Sequence, residues 1–431
     1  MQKLNFFNKM FPDKESLKDI KIGEILIDSR KIKKNDIFIG IRSGNKYIED
    51  VLEKGACLAF YDDINIKIED ERAIYVEDSI LFLQELAKKY RESLDVTVIG
   101  ITGSEGKTST KDILYTILSN KYKGKKTQGN YNNHIGLPLT LMQLEEDDKF
   151  IALEMGMSNL GEIRLLGEIA KPDYAIVTNI GDSHLEFLEN RNNVFKAKIE
   201  LFEFVKPEFR IVYGDDFYFK GVEAIRVGKN KDNDYIIKDF SQDKNGGEFN
   251  LFSLGEELEV HTNLYGEYNC INTALAMVVA LKVGISKEEI LISCKNLKLS
   301  GMRFERIEKD GKVFINDAYN ASPVAMKVSL ETFGEIFKGD YKVAILGDML
   351  ELGKESKKFH ENLSETIETL DLDEVYLVGK EMKNLYMKLD HKKCFYFKTV
   401  EEIKDSLKTI KDGAIVFLKA SNGIYLKKIL D

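Results

Sequence analysis

Val96-Thr-Val-Ile-Gly-Ile-Thr-Gly-Ser-Glu-Gly-Lys-Thr-Ser-Thr-Lys111 is the stretch on which the reading of this chain turns. A β-branched run leads through Gly100, Gly103 and Gly106 to Lys107 and Thr108, which open an amphipathic segment. That order reads as strand, phosphate loop and helix. The glycines let backbone N–H groups curl around an anion, and the helix start adds its positive dipole end. On this reading Lys107 reaches the outer phosphates and the Thr108 hydroxyl ligates a magnesium ion. The strict nucleotide-loop pattern G-x-x-x-x-G-K-S/T asks for glycine at position 101, where this chain has Ile101. The context of an apolar strand before and a helix after carries the prediction instead.

The rest of the composition narrows the class. A chain of 431 residues is too long for one ordinary core and suggests about three domains. Its 43% hydrophobic and 31% charged residues are those of a globular protein. No apolar run approaches the ~18 residues of a membrane span. The first ten residues break their apolar content with Asn and Lys, so no signal-peptide core is read there and a cytoplasmic location is expected. Cys57, Cys270, Cys294 and Cys394 show no C-x-x-C spacing, which argues against a zinc site and against a disulfide framework. A net charge of −9 excludes nucleic acid as a partner, since phosphate binding needs a basic face. The chain is expected to act as a monomer, without membrane insertion.

Working outward, residues 1–92 are predicted as a small N-terminal α/β domain, with strand-like runs at 25–30, 36–41, 56–60 and 73–76 and helical spacing over 47–55. Asp28-Ser29-Arg30 at a strand end suits a phosphate or a ring edge, and is also ordinary turn chemistry. Over 93–301 strands and helices alternate, which implies a mostly parallel sheet. The stretch 127–138 packs four amides and an imidazole into twelve residues, a density that suits recognition of a polar ligand. Apolar runs then deliver Glu154 and His184 to strand ends. In a parallel sheet those ends share one edge, with ligands in the crevice outside it. Glu154, His184 and Thr108 are therefore expected to converge as a magnesium environment, although singly Glu154 reads as a capped strand end and His184 as a surface-turn histidine. Spacing over 193–205 gives a helix on which Lys196 and Lys198 read as solvated. About 220–264 reads as a β-rich insert, and 264–277 opens a buried helix with Asn269 and Asn272 at its start. Ser300-Gly-Met-Arg-Phe304 reads as a hinge into a third α/β domain, 302–431, with strands near 313–317, 342–347, 374–379 and 414–419. Its first strand delivers a ligand-like polar loop, Asp317-Ala-Tyr-Asn-Ala-Ser-Pro323.

Together these segments resemble the Mur ligase family of ATP-dependent amide-forming enzymes, over essentially the whole chain. The resemblance is carried by Thr102-Gly-Ser-Glu-Gly-Lys-Thr108, Gly129-Asn-Tyr-Asn-Asn-His-Ile-Gly136, Glu154-Met-Gly156 with Gly161-Glu-Ile163, and Thr178-Asn-Ile-Gly181 with His184-Leu-Glu186. The Asp317–Pro323 loop and Leu346-Gly-Asp-Met-Leu-Glu-Leu-Gly353 complete it. It implies three domains: a central P-loop mononucleotide-binding parallel sheet (93–301), flanked by an N-terminal α/β domain that binds a UDP-linked substrate (1–92) and a Rossmann-like C-terminal domain (302–431).

The resemblance also implies roles. Thr102, Gly103, Ser104, Glu105, Gly106, Lys107 and Thr108 would bind ATP, with Asn269, Arg303 and Asp317 facing the nucleotide. Thr108, Glu154 and His184 would hold magnesium. Lys198, in Ala197-Lys-Ile-Glu200, matches a lysine that family members carry as a CO2-derived carbamate, an anion able to join a metal site where a free ammonium could not. Lys107, Lys198, His184 and Glu154 would thus be the catalytic set. Ser29, Arg30 and Asn133 would contact the UDP-linked substrate, and Asn320 and Ser322 the incoming dipeptide. The segments at 154, 317 and 346 are most similar to the member that adds D-alanyl-D-alanine to UDP-N-acetylmuramoyl-tripeptide in peptidoglycan precursor synthesis. Another member acting on a different amino acid, or a nucleotide-binding regulator without catalysis, are the alternatives. Two departures stand out: Tyr268 in Gly266-Glu-Tyr-Asn269 where the family usually has histidine, and Lys419-Ala-Ser-Asn422 where it has Lys-Gly-Ser-Arg.

Overall fold

The computed structural model describes residues 2–18, 20–182, 185–390 and 393–430. Its strands gather into three sheets. The first is wholly parallel and runs β1 (Ile25–Leu26), β2 (Ile37–Ile39), β3 (Leu58–Tyr61) and β4 (Ala73–Tyr75) in chain order. The helix Ser79–Glu92 leaves it, started by the Asp78 side chain, which accepts from the N–H groups of Ile80 and Leu81. This helix seats the N-terminal region on the next sheet: the Tyr90 hydroxyl donates to Leu144 O at 2.7 Å and the Arg91 Nε to Ala170 O at 3.1 Å.

The second sheet contains β5 (Thr97–Thr102), β6 (Gly124–Lys126), β7 (Phe150–Glu154), β8 (Tyr174–Val177), β9 (Arg210–Tyr213), β10 (Ile225–Gly228), β11 (Tyr235–Asp243), β12 (Gly246–Ser253) and β13 (Glu256–Thr262). Its order is β13-β12-β11-β10-β9-β8-β5-β7-β6. From β6 to β11 every pairing is parallel; the last two are antiparallel hairpin pairings. The β-rich stretch expected as an insert is thus an extension of the central sheet, because β10 pairs with β9 on one side and β11 on the other. Strand β5 is almost entirely buried, as its β-branched run, interrupted only by Gly100, requires of a strand covered on both faces. One face lies under the helices Lys107–Ser119 and Glu267–Val283, whose Ile113, Ile117, Leu275 and Val279 are fully buried. The second of these is apolar on nearly all sides, which is why it sits inside.

The third sheet runs β14 (Glu305–Lys309), β15 (Lys312–Asn316), β19 (Ile415–Lys419), β16 (Lys342–Gly347), β17 (Glu374–Val378), β18 (Cys394–Phe397), with only β14–β15 antiparallel. Strands β14 and β18, at its two edges, are absent from the sequence reading. Both are short and partly exposed, so no apolar run marks them. The helix expected over 193–205 is an α-helix, Arg191–Ile199, that tightens into a 3-10 helix, Glu200–Phe204. Cys57, Cys270 and Cys294 are buried free thiols, which fits packing roles. Among the described residues no helix is long and apolar enough to cross a membrane.

Candidate active site

Strand β5 lies between β8 and β7, and the loop leaving its end turns over the sheet into the helix Lys107–Ser119. Gly103 (φ 149°) and Gly106 (φ 80°) have backbone conformations that disfavour side chains. Space forbids side chains as well: a Cβ on Gly103 would sit 1.8 Å from Thr178 Oγ1, and one on Gly106 2.6 Å from Asn272 Oδ1. The loop after β8 braces this cradle. Ser104 N donates to Asn179 O and Glu105 N to Asn179 Oδ1, both at 3.0 Å, while Gly181 N donates to Ser104 Oγ at 2.8 Å.

Two lysines meet on the cradle's backbone. Lys107 Nζ donates to Gly103 O at 2.7 Å and to Ser104 O at 2.9 Å; Lys198 Nζ, from the helix Arg191–Ile199, donates to Gly103 O at 2.8 Å. Lys198 is only 2% exposed, so the solvated reading of its helix spacing is overturned for this residue, whereas Lys196 is exposed as expected. Burial, then the neighbouring Lys107 charge, hold the Lys198 amine well below its ordinary pKa. Loss of water lowers Lys107 too, against the opposing pull of Glu154 and Glu105.

On the other side of the loop the predicted convergence of Thr108 and Glu154 is met. Thr108 Oγ1 donates to Glu154 Oε2 at 2.7 Å, and Asn132 Nδ2 to Glu154 Oε1 at 3.0 Å. The backbone N–H of Glu154 is taken by Thr127 Oγ1 at 2.9 Å. Lys111 Nζ stands 3.9 Å from Glu154 Oε2 and donates to Thr127 O. His184 lies outside the described residues. Among the described residues no group of three or more His, Cys, Asp or Glu is placed to hold a metal by protein ligands alone. A hydroxyl and a carboxylate are nevertheless hard oxygen donors of the kind magnesium takes when phosphate and water oxygens complete its shell, so the residues present fit that ion.

A cavity of about 480 Å³ opens from Glu105 and Gly106 to the start of the third sheet. Asn269, Arg303, Asp317, Tyr268, Asn320 and Ser322 all line it. The Arg303 guanidinium lies 4.2 Å from the centre of the Tyr319 ring, and its Nε is a buried donor without a partner among the described residues, a group that an anionic or carbonyl ligand would satisfy. Asp317 is differently placed. Its Oδ2 accepts from Lys419 Nζ at 2.6 Å and Ser329 Oγ at 2.7 Å, and its Oδ1 from Phe304 N at 3.2 Å, so its charge is spent within the protein. Asn269 donates to Tyr265 O at 2.8 Å. Tyr268, where histidine is usual, has its phenol held well above the ordinary pKa, by burial first and then by Asp317. Ser322 caps the helix Pro323–Ile336 and donates to Glu105 Oε1 at 2.9 Å, so it bridges the phosphate loop to the third sheet. Exposed Asn320 turns its side-chain oxygen to Ala321 N.

Three predicted residues are engaged elsewhere. Arg30 is exposed and grips Asp28 with two hydrogen bonds, holding that carboxyl down at about 2, while Ser29 O accepts from Lys54. Asn133 gives its side-chain oxygen to the N–H groups of Ile135 and Gly136. Within the same amide-rich stretch it is Asn132 that reaches Glu154. Sequence reasoning passed over Asn132, Thr127, Lys111 and Asn179; the density of amides marked the region, but only folding shows which of them faces the carboxylate.

Known proteins resemble this chain over most of its length. Residues 101–280 match the model of the Mur ligase middle domain, and residues 302–422 that of the Mur ligase, glutamate ligase domain. The UDP-N-acetylmuramoyl-tripeptide--D-alanyl-D-alanine ligase of Bacillus subtilis is 35% identical over 95% of this chain and 92% of its own. That of Rickettsia prowazekii is 32% identical over 96% and 95%. Among solved structures, the MurF ligase from Thermotoga maritima in complex with ADP superposes with a TM-score of 0.84 at 30% identity, covering 96% of this chain and 97% of that one.

Proposed function

The chain belongs to the Mur ligase family, and from that premise we propose that it is an ATP-dependent ligase joining the amine of D-alanyl-D-alanine to the terminal carboxyl of UDP-N-acetylmuramoyl-tripeptide. Relatives named for that reaction match it nearly end to end. One geometric observation carries the reading furthest: Glu105 and Gly106, in the loop that leads into Lys107 and the Thr108–Glu154 pair, line one side of a cavity whose other side is formed by Arg303 and the Asp317–Pro323 loop. Two reacting parties can be held across such a cleft.

The chemistry follows from the charges. The tripeptide carboxylate attacks the γ-phosphate of ATP; ADP leaves and an acyl phosphate forms. Lys107 offsets negative charge on the transferring group, and the backbone N–H groups around Gly103 and Gly106 cradle the phosphates. Magnesium, when bound, supplies further charge neutralisation at the phosphate oxygens, and Thr108 and Glu154 would hold it, with His184 as the third group. The dipeptide amine then attacks the acyl carbon, phosphate leaves, and the amine loses a proton. Arg303, with a free Nε, is suited to an oxygen of the nucleotide. Asn269 and Asp317 shape that end, and the bridge from Ser322 to Glu105 keeps the third sheet over the loop while water is excluded.

In the same reading Lys198 carries a carbamate: its neutral amine adds to CO2 and sheds a proton. Its burial and lowered pKa favour the neutral amine that this addition needs. The 1–92 region takes the UDP-linked substrate, with Ser29, Arg30 and Asn133 on its side and Asn320 and Ser322 toward the dipeptide. The 93–301 region binds ATP and the 302–431 region roofs it, and the reaction belongs to the cytoplasm, where ATP is at hand. Phosphate release that requires ATP and both peptide substrates is the expected result. Release indifferent to the dipeptide, or supported equally by single amino acids, would send the assignment to another family member. For the carbamate, Lys198→Ala is expected to be folded and inactive, and partly restored by formate or acetate. Activity at the parental level without either removes the carbamate.

A further inference from the structure

Lys111 and Asp112 lie one helical turn beyond Lys107 and Thr108, on the same faces of the helix Lys107–Ser119, and neither belongs to the loop itself. Asp112 has no exposed surface. Burying a carboxylate so completely is costly unless donors surround it, and here they do. Ser300 N and Ser300 Oγ donate to Asp112 Oδ2 at 2.8 and 2.6 Å. Lys126 Nζ donates to Oδ1 at 2.7 Å, and Lys111 Nζ stands 3.4 Å from the same oxygen. Lys111 in turn faces Glu154 Oε2 at 3.9 Å, so buried charges run unbroken from Glu154 through Lys111 and Asp112 to Ser300.

Ser300 is where the chain leaves the central sheet for the third. Two residues later the chain is already held by the other side: Tyr319 N donates to Met302 O, and Phe304 N to Asp317 Oδ1. Met302 (φ 63°) and Phe304 (φ 55°) both take left-handed conformations that side chains avoid, so the crossing is a strained segment clamped at both ends. Arg303 stands between them and lines the cavity.

We propose that Asp112 is a positioning residue for the ligation: it anchors the crossing at Ser300 and, through Lys111, ties that anchor to Glu154, so the third sheet is oriented over the cavity from the phosphate-loop helix. The inference rests on the reaction proposed above. Its consequence reaches both substrates, the dipeptide through the third sheet and ATP through Arg303, which the crossing carries, whereas the phosphate loop stays intact.

Steady-state kinetics of the full chain test it, with D-alanyl-D-alanine and ATP varied separately. Ser300→Ala, which deletes one of the two anchoring bonds, is expected to raise KM for the dipeptide and KM for ATP each about five-fold while kcat stays within about two-fold, and Asp112→Asn should do the same more strongly. Ser300→Thr, which keeps both donors, should recover the parental values. Lys244→Ala, which cuts the separate contact of Lys244 with Asp340, should leave them unchanged. A fall in kcat at unchanged KM values, or parental kinetics in Ser300→Ala, overturns the inference even with an active parent. A parent that releases no phosphate with both peptides present overturns the reaction itself.

Discussion

At the carboxyl edge of the third sheet Asp317 and Lys419 close on each other at 2.6 Å; at the same edge of the central sheet Glu154 and Lys107 each turn to other partners. Glu154 is satisfied by a hydroxyl and an amide, and Lys107 by two backbone carbonyls. Both edges thus carry a carboxylate and a lysine, and only one edge pairs the two directly. A quenched pair holds loops in place and offers little net charge to a ligand. Glu154, hydrogen-bonded by neutral groups with Lys111 no nearer than 3.9 Å, and Lys107, held by carbonyls, can be turned toward an incoming cation or phosphate at the cost of exchanging hydrogen bonds.

The difference can be broken by substitution. The largest effect is expected at the quenched pair: Lys419→Met leaves Asp317 without its cation, and denaturant unfolding should show a loss of about 3 kcal/mol, the scale of breaking a buried pair by removing one partner. An undiminished midpoint would mean that this edge, too, keeps its charges loosely. Next comes Lys107→Ala, expected to cut phosphate release by ~100-fold, the scale of a lost electrostatic stabiliser, with thermal stability near the parent's. Turnover within a few-fold of the parent would remove Lys107 from the chemistry. Third, Glu154→Gln should raise the magnesium concentration for half-maximal rate by about ten-fold, whereas Asp317→Asn should barely move it. If both substitutions shift the titration alike, the contrast between the two edges fails.

The smallest effect concerns Lys198. Its folded pKa lies below the unfolded value of ~10.4, so between the two the unfolded chain binds more protons and stability rises with pH, until the unfolded lysine also loses its proton. Lys198→Met should flatten this rise in unfolding free energy between the folded pKa and pH 10. An unchanged slope would show that another group sets it.

Much of this was legible beforehand, for identifiable reasons. The phosphate loop was readable because its features are local: a β-branched run, glycines at the cramped turns, then Lys107 and Thr108 at a helix start. Glu154 was readable because strand ends in a parallel sheet share an edge. The edge strands β14 and β18 were not, since short half-exposed strands lack an apolar period, and neither was the choice of Asn132 over Asn133, which neighbours in sequence cannot decide. Lys198 shows the limit most clearly. Its helix spacing reads as solvated, and only the packing of that helix beneath Gly103 buries it.

By itself, then, the sequence determined the order of strands and helices, the cradle at 102–108 and the residue types that meet phosphate, because these follow from steric and periodic rules acting over a few residues. Which charges pair was decided by the tertiary structure alone: Thr108 with Glu154, Lys198 with Gly103, Asp112 with Ser300, Asp317 with Lys419. Those partners come from distant parts of the chain, and an ionisable group's behaviour depends on the water it has lost and the charges brought beside it, which exist only once the sheets have packed.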